Sequence, residues 1–153
     1  MHVDFIIMEE VDIPEIIGMI KQLYQEDPEG EIIKEEKIFQ TIEELKQFPE
    51  KGTIIKFVID AKIVGYSILI FYWSNEYGGN IVFIDELFTK TDHRNQGIAT
   101  KFIHTLIEGK LTYLRDLKGV QLEVTPSNEK ALNYYQKLGF NYLRNTNLFR
   151  KIV

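Results

Sequence analysis

The sequence contains no cysteine, and this absence excludes disulfide bonds and thiolate metal sites. It also fits a reducing compartment. The three histidines, His2, His93 and His104, follow no metal-ligand spacing, so we expect no metal site. No repeat, low-complexity tract or linker interrupts the 153 residues, so residues 1–153 are predicted to form a single domain.

Long apolar runs are also missing. The longest, residues 63–73, is interrupted by Gly65 and Ser67 and is too short to span a bilayer. The first residues lack the basic stretch and cleavage pattern of a secretory signal. No basic stripe with interleaved aromatic residues is present, as nucleic-acid binding would require. We therefore expect a cytoplasmic protein with neither a membrane nor a nucleic acid as partner.

The net charge of −5 is unevenly distributed along the chain. Residues 9–50 contain 13 acids and 4 lysines, whereas residues 90–118 contain 6 bases and 3 acids. The acidic stretch is available to a cationic ligand, and the basic stretch to an anionic one. The alternative for the acidic stretch is a solvated helix face, which is the usual role of such runs.

Hydrophobic periodicity predicts an α+β fold. Runs rich in β-branched and aromatic residues predict strands at 3–8, 53–59, 63–73, 81–88, 120–124, 140–144 and 147–153. Helices are predicted after a cap at Asp12, over residues 33–48, from residue 98, and over residues 128–138, with Gly139 as a left-handed cap. These elements predict a mixed, mostly antiparallel sheet of six or seven strands with helices on both faces.

The junction after the fourth predicted strand is the most informative stretch. That strand carries two adjacent acids, Asp85 and Glu86, and the following helix begins with the small residues Gly97 and Ala99. A helix N-terminus has unpaired N–H groups and a positive dipole end, and Gly97 lets a ligand approach the backbone. The junction is therefore either a phosphate or pyrophosphate site or a helix start with a convenient glycine. Neither a G-x-x-x-x-G-K-[ST] nor a G-x-G-x-x-G pattern is present.

Two motifs on this framework resemble those of the GNAT N-acetyltransferase superfamily. Residues 94–99 carry R-x-x-G-x-A, which resembles the family's acyl-CoA signature [QR]-x-x-G-x-[GA]. Residues 128–140 resemble its downstream pattern N-x-x-A-x-x-x-Y-x-k-x-G-F. The order of elements is similar over about the whole chain, and specific residues match from about Ile63 onward. The resemblance implies a GNAT-like fold and acetyl-CoA as co-substrate.

The resemblance also implies where acetyl-CoA would bind. The turn into the helix would hold the pyrophosphate, and the end of the strand would pair with the pantetheine if it separates from residues 120–124. The implied binding residues are Leu87, Phe88, Thr89, Arg94, Asn95, Gln96, Gly97, Ile98, Ala99, Thr100, Asn128 and Tyr135. The chain departs from the common pattern at Thr89, usually Val, and at residues 90–92, where Pro is common. We expect these departures to alter the loop without removing the site.

For catalysis, Tyr135 matches the family's general-acid tyrosine, and its neighbour Tyr134 should point elsewhere. Asp85 and Glu86 are candidate bases, and regular strand alternation predicts that only one of them lines the site. Residues 71–73 and 83–88 further resemble the diamine and polyamine acetyltransferase branch, in which the acid at the Asp85 position is the proposed base. The alternatives are a core aromatic for Tyr135, a salt-bridged or exposed strand acid, and base action through water.

The predicted function is acetyl transfer from acetyl-CoA to a primary amine, by direct attack. The acceptor is expected to be a small cationic amine such as a polyamine. Acetylation of a protein N-terminus or lysine is a second interpretation, and a non-catalytic CoA-binding module is a third. The sequence leaves the oligomeric state open, with a homodimer among the candidates.

Overall fold

The computed structural model describes residues 1–27, 30–111 and 114–152 of the chain. Its strands and helices are, in chain order, β1 (Asp4–Ile7), α1 (Ile13–Glu26), α2 (Glu35–Gln47), β2 (Gly52–Ile59), β3 (Lys62–Ser74), β4 (Gly79–Thr89), α3 (Ile98–Ile107), β5 (Leu117–Leu122) and α4 (Glu129–Lys137). Short 3-10 segments, Glu10–Asp12 and Thr91–His93, precede α1 and α3. Two units, Met1–Glu123 and Val124–Val153, are described separately below.

The first unit is built on one sheet with the strand order β1-β2-β3-β4-β5. The first four strands are antiparallel, and β5 joins β4 in parallel, which confirms a mixed, mostly antiparallel sheet. A two-residue turn at Asp60 and Ala61, with φ of 48° and 62°, joins β2 to β3. Positive φ at both positions suits the twist of a tight hairpin.

The predicted sixth and seventh strands are wrong for the residues that the structure describes. Residues 140–144 and 147–152 form no strand, so the sheet has five strands there, and Val153 lies outside the described residues. A strand requires a pairing neighbour as well as suitable residues, and the aromatic and aliphatic content of this segment was the only basis for the prediction. Its large apolar side chains remain exposed, namely Tyr142, Leu143, Leu148, Phe149 and Ile152.

Helices pack on both faces of the sheet, as predicted. On one face, α1 and α2 join residues of β2, β3 and β4 in a core that includes Ile16, Ile20, Ile38, Ile42, Ile54, Tyr66 and Phe88. On the other face, Phe102 of α3 lies 4.8 Å from Phe57 of β2 and 5.5 Å from Phe5 of β1, measured between ring centroids. Alternate residues of a strand point to opposite faces of the sheet. Ile54 of β2 therefore packs in the first layer, and Phe57 of the same strand packs in the second.

The start of α1 differs from the prediction. Asp12 makes no side-chain cap bond to the helix. Its carboxylate instead accepts hydrogen bonds from the Glu9 N–H at 2.8 Å and from Lys56 Nζ at 2.7 Å. Burial acts to raise the pKa of Asp12, but Lys56 and the Glu9 N–H outweigh it and hold that pKa below its usual range. The pair fastens the beginning of α1 to β2.

The second unit contains α4, and both ends of this helix have the caps that the sequence predicted. Asn128 Oδ1 accepts a hydrogen bond from the Ala131 N–H at 3.1 Å, which is the predicted N-cap. Gly139 follows the helix with φ of 95°, a left-handed conformation that favours glycine. No helix among the described residues is long and apolar enough to cross a membrane.

Candidate active site

The site begins where β4 and β5 separate. The two strands pair in parallel only as far as Ile84 and Leu122, whereas β4 continues to Thr89. No strand of the described chain pairs with residues 85–89 on that edge. Pairing stops there because β5 ends at Leu122, and this leaves the end of β4 without a strand partner on that edge among the described residues. An unpaired strand edge can accept an extended ligand through main-chain hydrogen bonds.

A β-bulge lies at the point of separation. Ile68 of β3 is opposite Glu86 and its neighbour Leu69 is opposite Ile84, so Asp85 is an extra residue without a partner in β3. A bulge interrupts the alternation of side chains and bends the strand locally. The prediction that only one of the two acids lines the site assumed a regular strand, and β4 is not regular there.

Glu86 is a buried carboxylate held by two tyrosines. It is only 9% exposed, and it accepts hydrogen bonds from Tyr66 Oη at 2.7 Å and from Tyr24 Oη at 2.9 Å, one on each oxygen. Burial raises the pKa of Glu86, and the two tyrosine hydrogen bonds oppose that rise. Burial and the charge of Glu86 together raise the pKa of each tyrosine, so both remain protonated donors.

Asp85 belongs to a group of acids at the same place. The residue is exposed overall, but burial around its carboxyl raises the pKa of Asp85, and the like charge of Glu123 raises it further. Asp85, Glu86 and Glu123 form no ion pair with any basic residue of the described chain. We call these three residues the acid cluster. Its negative charge is available to a cationic ligand.

The β4–α3 turn, residues 90–97, has a backbone open to a ligand. Asn95 and Gly97 are both left-handed, with φ of 61° and 79°. Gly97 is the N-cap of α3, and a Cβ built on it would meet no atom within 4 Å. The start of α3 therefore adjoins open space, and an anion can approach its N–H groups. This geometry fits a bound phosphate or pyrophosphate, as the sequence predicted for Arg94 to Thr100.

The two cations of the turn are already paired with α1. The Arg94 guanidinium donates two hydrogen bonds to the Glu26 carboxylate, at 2.8 and 2.9 Å, and its Nε donates to the Thr89 carbonyl at 2.8 Å. Lys90 Nζ lies 2.5 Å from a carboxylate oxygen of Glu15. Arg94 was predicted to contact the cofactor, but its side chain binds protein groups here. The backbone of the turn remains as the anion-binding element.

Sequence reasoning missed three residues that contact the predicted site, Tyr24, Glu26 and Tyr66. The contacts of Tyr24 with Glu86 and of Glu26 with Arg94 span 62 and 68 residues of chain. Local periodicity carries no signal for such distant pairs. The turn also contains His93, whose Nδ1 is buried without a hydrogen-bond partner among the described residues.

In the second unit, Tyr135 lies on α4 within a small aromatic group. Its ring centroid is 5.0 Å from that of Tyr134 and 5.7 Å from that of Phe140. Burial raises the pKa of Tyr135, and Tyr134 raises it further. The hydroxyl group therefore keeps its proton at neutral pH, as a general acid must before it acts.

Comparisons with known proteins agree with the family resemblance found in the sequence. Residues 12–140 match the model of a family described as the acetyltransferase (GNAT) family. Thialysine N-epsilon-acetyltransferase of the mouse (Mus musculus) is 34% identical over 77 residues, which make up 50% of this chain and 44% of that protein. The chain thus spans less than half the length of the curated relatives it matches.

Two solved structures share the fold. A possible acetyltransferase from Clostridium difficile 630 has a TM-score of 0.80 at 20% identity, covering 99% of this chain and 97% of that chain. Aminoglycoside N-acetyltransferase AAC(6')-Iy in complex with CoA has a TM-score of 0.75 at 19% identity, covering 98% of this chain and 95% of that chain. At these identities the likeness concerns the fold.

Proposed function

Because the chain belongs to the acetyltransferase (GNAT) family, we propose that it is an acetyl-CoA-dependent N-acetyltransferase acting on a small cationic primary amine such as a polyamine. One observation carries this proposal. The unpaired end of β4 leads directly into a turn whose backbone is open to an anion. An extended ligand with a pyrophosphate at one end suits that combination.

The residues that would hold acetyl-CoA follow from this geometry. The free edge of Leu87, Phe88 and Thr89 would pair with the pantetheine, and the backbone of residues 94–100 would receive the pyrophosphate. We assign Arg94 a supporting role, since its side chain is occupied by Glu26 and Thr89. Asn128 remains a proposed contact by its motif. Acetyl-CoA supplies a thioester carbonyl and a thiolate leaving group.

Two side chains are proposed to move protons. An amine must be neutral to act as a nucleophile, and the carboxylate of Asp85, or a water bound to it, would accept the ammonium proton. The Tyr135 hydroxyl would supply a proton to the departing sulfur. A phenol has a reference pKa of about 10 and a thiol of about 8.5, so this transfer is not prohibitively uphill.

The cationic acceptor is supported by the acid cluster. Three neighbouring carboxylates without a basic partner repel one another, and the raised pKa values of Asp85 and Glu86 reflect burial together with neighbouring like charges. An alkylammonium group beside them would relieve that repulsion. The mouse relative is named for acetylating the N-epsilon amine of thialysine, which supports an amine of similar kind.

The acidic stretch of residues 9–50 contributes less than its composition suggested. Six of its acids form ion pairs in the described chain, with Lys46, Lys56, Lys90, Arg94, Lys21 and Lys51. Acids that are already paired attract a polycation weakly. We therefore assign the attraction of the acceptor to the acid cluster.

The test is turnover of acetyl-CoA, measured as release of free thiol, with a panel of amines. Spermidine, thialysine, lysine, benzylamine, glutamate and a peptide with a free N-terminus separate the alternatives. We expect the polycation and the lysine-like amines to be the best substrates. A preference for the peptide would instead indicate protein acetylation. Acetyl-CoA binding without turnover of any amine would indicate a non-catalytic module.

A further inference from the structure

We propose that Glu26, the last residue of α1, is a positioning residue for acetyl-CoA binding. It holds Arg94, and through Arg94 it holds the β4–α3 turn in the shape that presents backbone N–H groups to the pyrophosphate. This inference rests on the proposed function of that turn.

The Glu26–Arg94 pair has the geometry of a specific contact. One guanidinium nitrogen, Arg94 Nη2, donates to both oxygens of the Glu26 carboxylate, at 2.8 and 2.9 Å. A single exposed ion pair contributes little by itself, so the position of Arg94 must be fixed by further contacts. The Arg94 side chain is further confined, because its Nε donates to the Thr89 carbonyl and its guanidinium lies 5.2 Å from the Phe88 ring centre.

The turn needs such an anchor because of its backbone. Asn95 is left-handed at φ 61°, a region that asparagine tolerates better than most residues but adopts less readily than glycine. Gly97, two residues later, adopts the same region, and glycine has the greatest conformational freedom of all residues. A short segment with these two positions keeps one shape only if surrounding contacts hold it.

Helix α1 provides that support at two widely spaced points. Glu15 in its first turn binds Lys90, and Glu26 in its last turn binds Arg94. These acids are eleven residues apart in the sequence, which is about 16 Å along a helix axis. Ile16 and Ile20 fix α1 in the core, so the turn is tied to a rigid element. N–H donors held in place before binding lose less entropy when the ligand arrives.

The first experiment compares Glu26→Gln with a matched control, Glu35→Gln. Glu35 of α2 pairs with Lys21 of α1 at 3.1 Å, and no hydrogen bond or ion pair of the described chain joins Glu35 to the turn. Isothermal titration calorimetry with acetyl-CoA should show binding weakened by about tenfold in Glu26→Gln and unchanged in Glu35→Gln. At saturating acetyl-CoA the kcat of Glu26→Gln should stay within about twofold of wild type, because the residue acts on binding rather than chemistry.

A double-mutant cycle tests whether Glu26 acts through Arg94. In an Arg94→Gln background, Glu26→Gln should cause no further loss of affinity. Arg94→Lys, which keeps the charge but loses the Nε hydrogen bond to the Thr89 carbonyl, should weaken binding nearly as much as Arg94→Gln. Thermal unfolding of each variant identifies any that has lost its fold.

The outcomes separate this inference from the proposed function. Unchanged or tighter binding by Glu26→Gln, or additive losses in the cycle, would overturn the positioning role while wild-type turnover survives. Tighter binding would mean that the Glu26 charge competes with the phosphates. Failure of the wild-type protein to bind acetyl-CoA would overturn both.

Discussion

In the β4–α3 turn, the cations Lys90 and Arg94 are paired with acids of α1, whereas the acid cluster has no basic partner in the described chain. The fold therefore pairs the charges of the turn with opposite charges and leaves the acid cluster, where two tyrosines hydrogen-bond Glu86, without a basic partner. An anion bound at the turn would be held by backbone N–H groups, whose partial charges need no counterion. A cation at the acid cluster would meet carboxyls of which two, Asp85 and Glu86, have a pKa raised by burial and by a neighbouring acid.

The largest expected effect tests whether the backbone of the turn binds the pyrophosphate. Gly97→Glu places a negative side chain where the pyrophosphate would lie, in a left-handed position that disfavours it. Acetyl-CoA binding should weaken by about 100-fold or more, seen as loss of the thermal shift that acetyl-CoA gives. Gly97→Asn, which tolerates the left-handed region, is the control. An unchanged shift in Gly97→Glu would locate the cofactor elsewhere.

The next effect separates the chemical step from the binding of acetyl-CoA. Tyr135→Phe removes the proposed acid, so kcat should fall by about 100-fold while the Kd for acetyl-CoA changes little. Tyr134→Phe, whose ring contacts Tyr135 at 5.0 Å, should be mild. Equal kinetics for the two variants, measured by thiol release, would remove Tyr135 from the mechanism.

A smaller effect concerns the unpaired charge of the acid cluster. For spermidine, kcat/KM should fall roughly tenfold as the ionic strength is raised, because salt screens a multiply charged acceptor from the carboxylates. For benzylamine, with one charge, the fall should be slight. If benzylamine or an acidic amine outperforms spermidine at low salt, the acid cluster does not select the acceptor, although the acetyltransferase proposal stands.

The smallest expected effect is on stability. The pKa of Glu86 is raised in the folded state. The contribution of Glu86 to the free energy of unfolding is therefore fully favourable only below the pKa that this residue has in the unfolded chain, and it is lost as pH rises through its pKa in the folded state. Glu86→Gln should therefore raise the thermal midpoint at pH 7 by a few degrees, and the gain should shrink as pH falls toward 4. A lower midpoint at pH 7 would mean that the tyrosine bonds outweigh the burial of charge.

The local parts of the site could be predicted from the sequence. The strand, the turn and the helix start at Ile98 were found because alternation, helical spacing and Gly97 all act over a few residues. The contacts of α1 could not be found, since Tyr24 and Glu26 meet their partners across more than sixty residues. The bulge at Asp85 was not predicted, because an apolar run does not reveal which residue lacks a partner in the neighbouring strand.

The predicted elements at the end of the chain failed for another reason. Residues 140–144 and 147–152 have the composition of strands but no strand pairing in the structure. The fifth strand was predicted over residues 120–124 and lies at Leu117–Leu122, an offset typical of short strands whose ends depend on a neighbour. Composition predicted which segments favour extension, whereas pairing decided which of them joined the sheet.

The bulge at Asp85 has a consequence for how this protein can change during evolution. Strand β4 contains two phases of alternation that meet at one extra residue. Deleting that residue would leave Ile84 opposite Leu69 and Glu86 opposite Ile68, so both sides of the join would keep their faces and only the local bend would be lost. A one-residue shift of β4 against β3 would instead turn Glu86 away from its two tyrosines. Substitutions can therefore retune this site one side chain at a time, whereas the register of β4 on β3 is constrained as a unit.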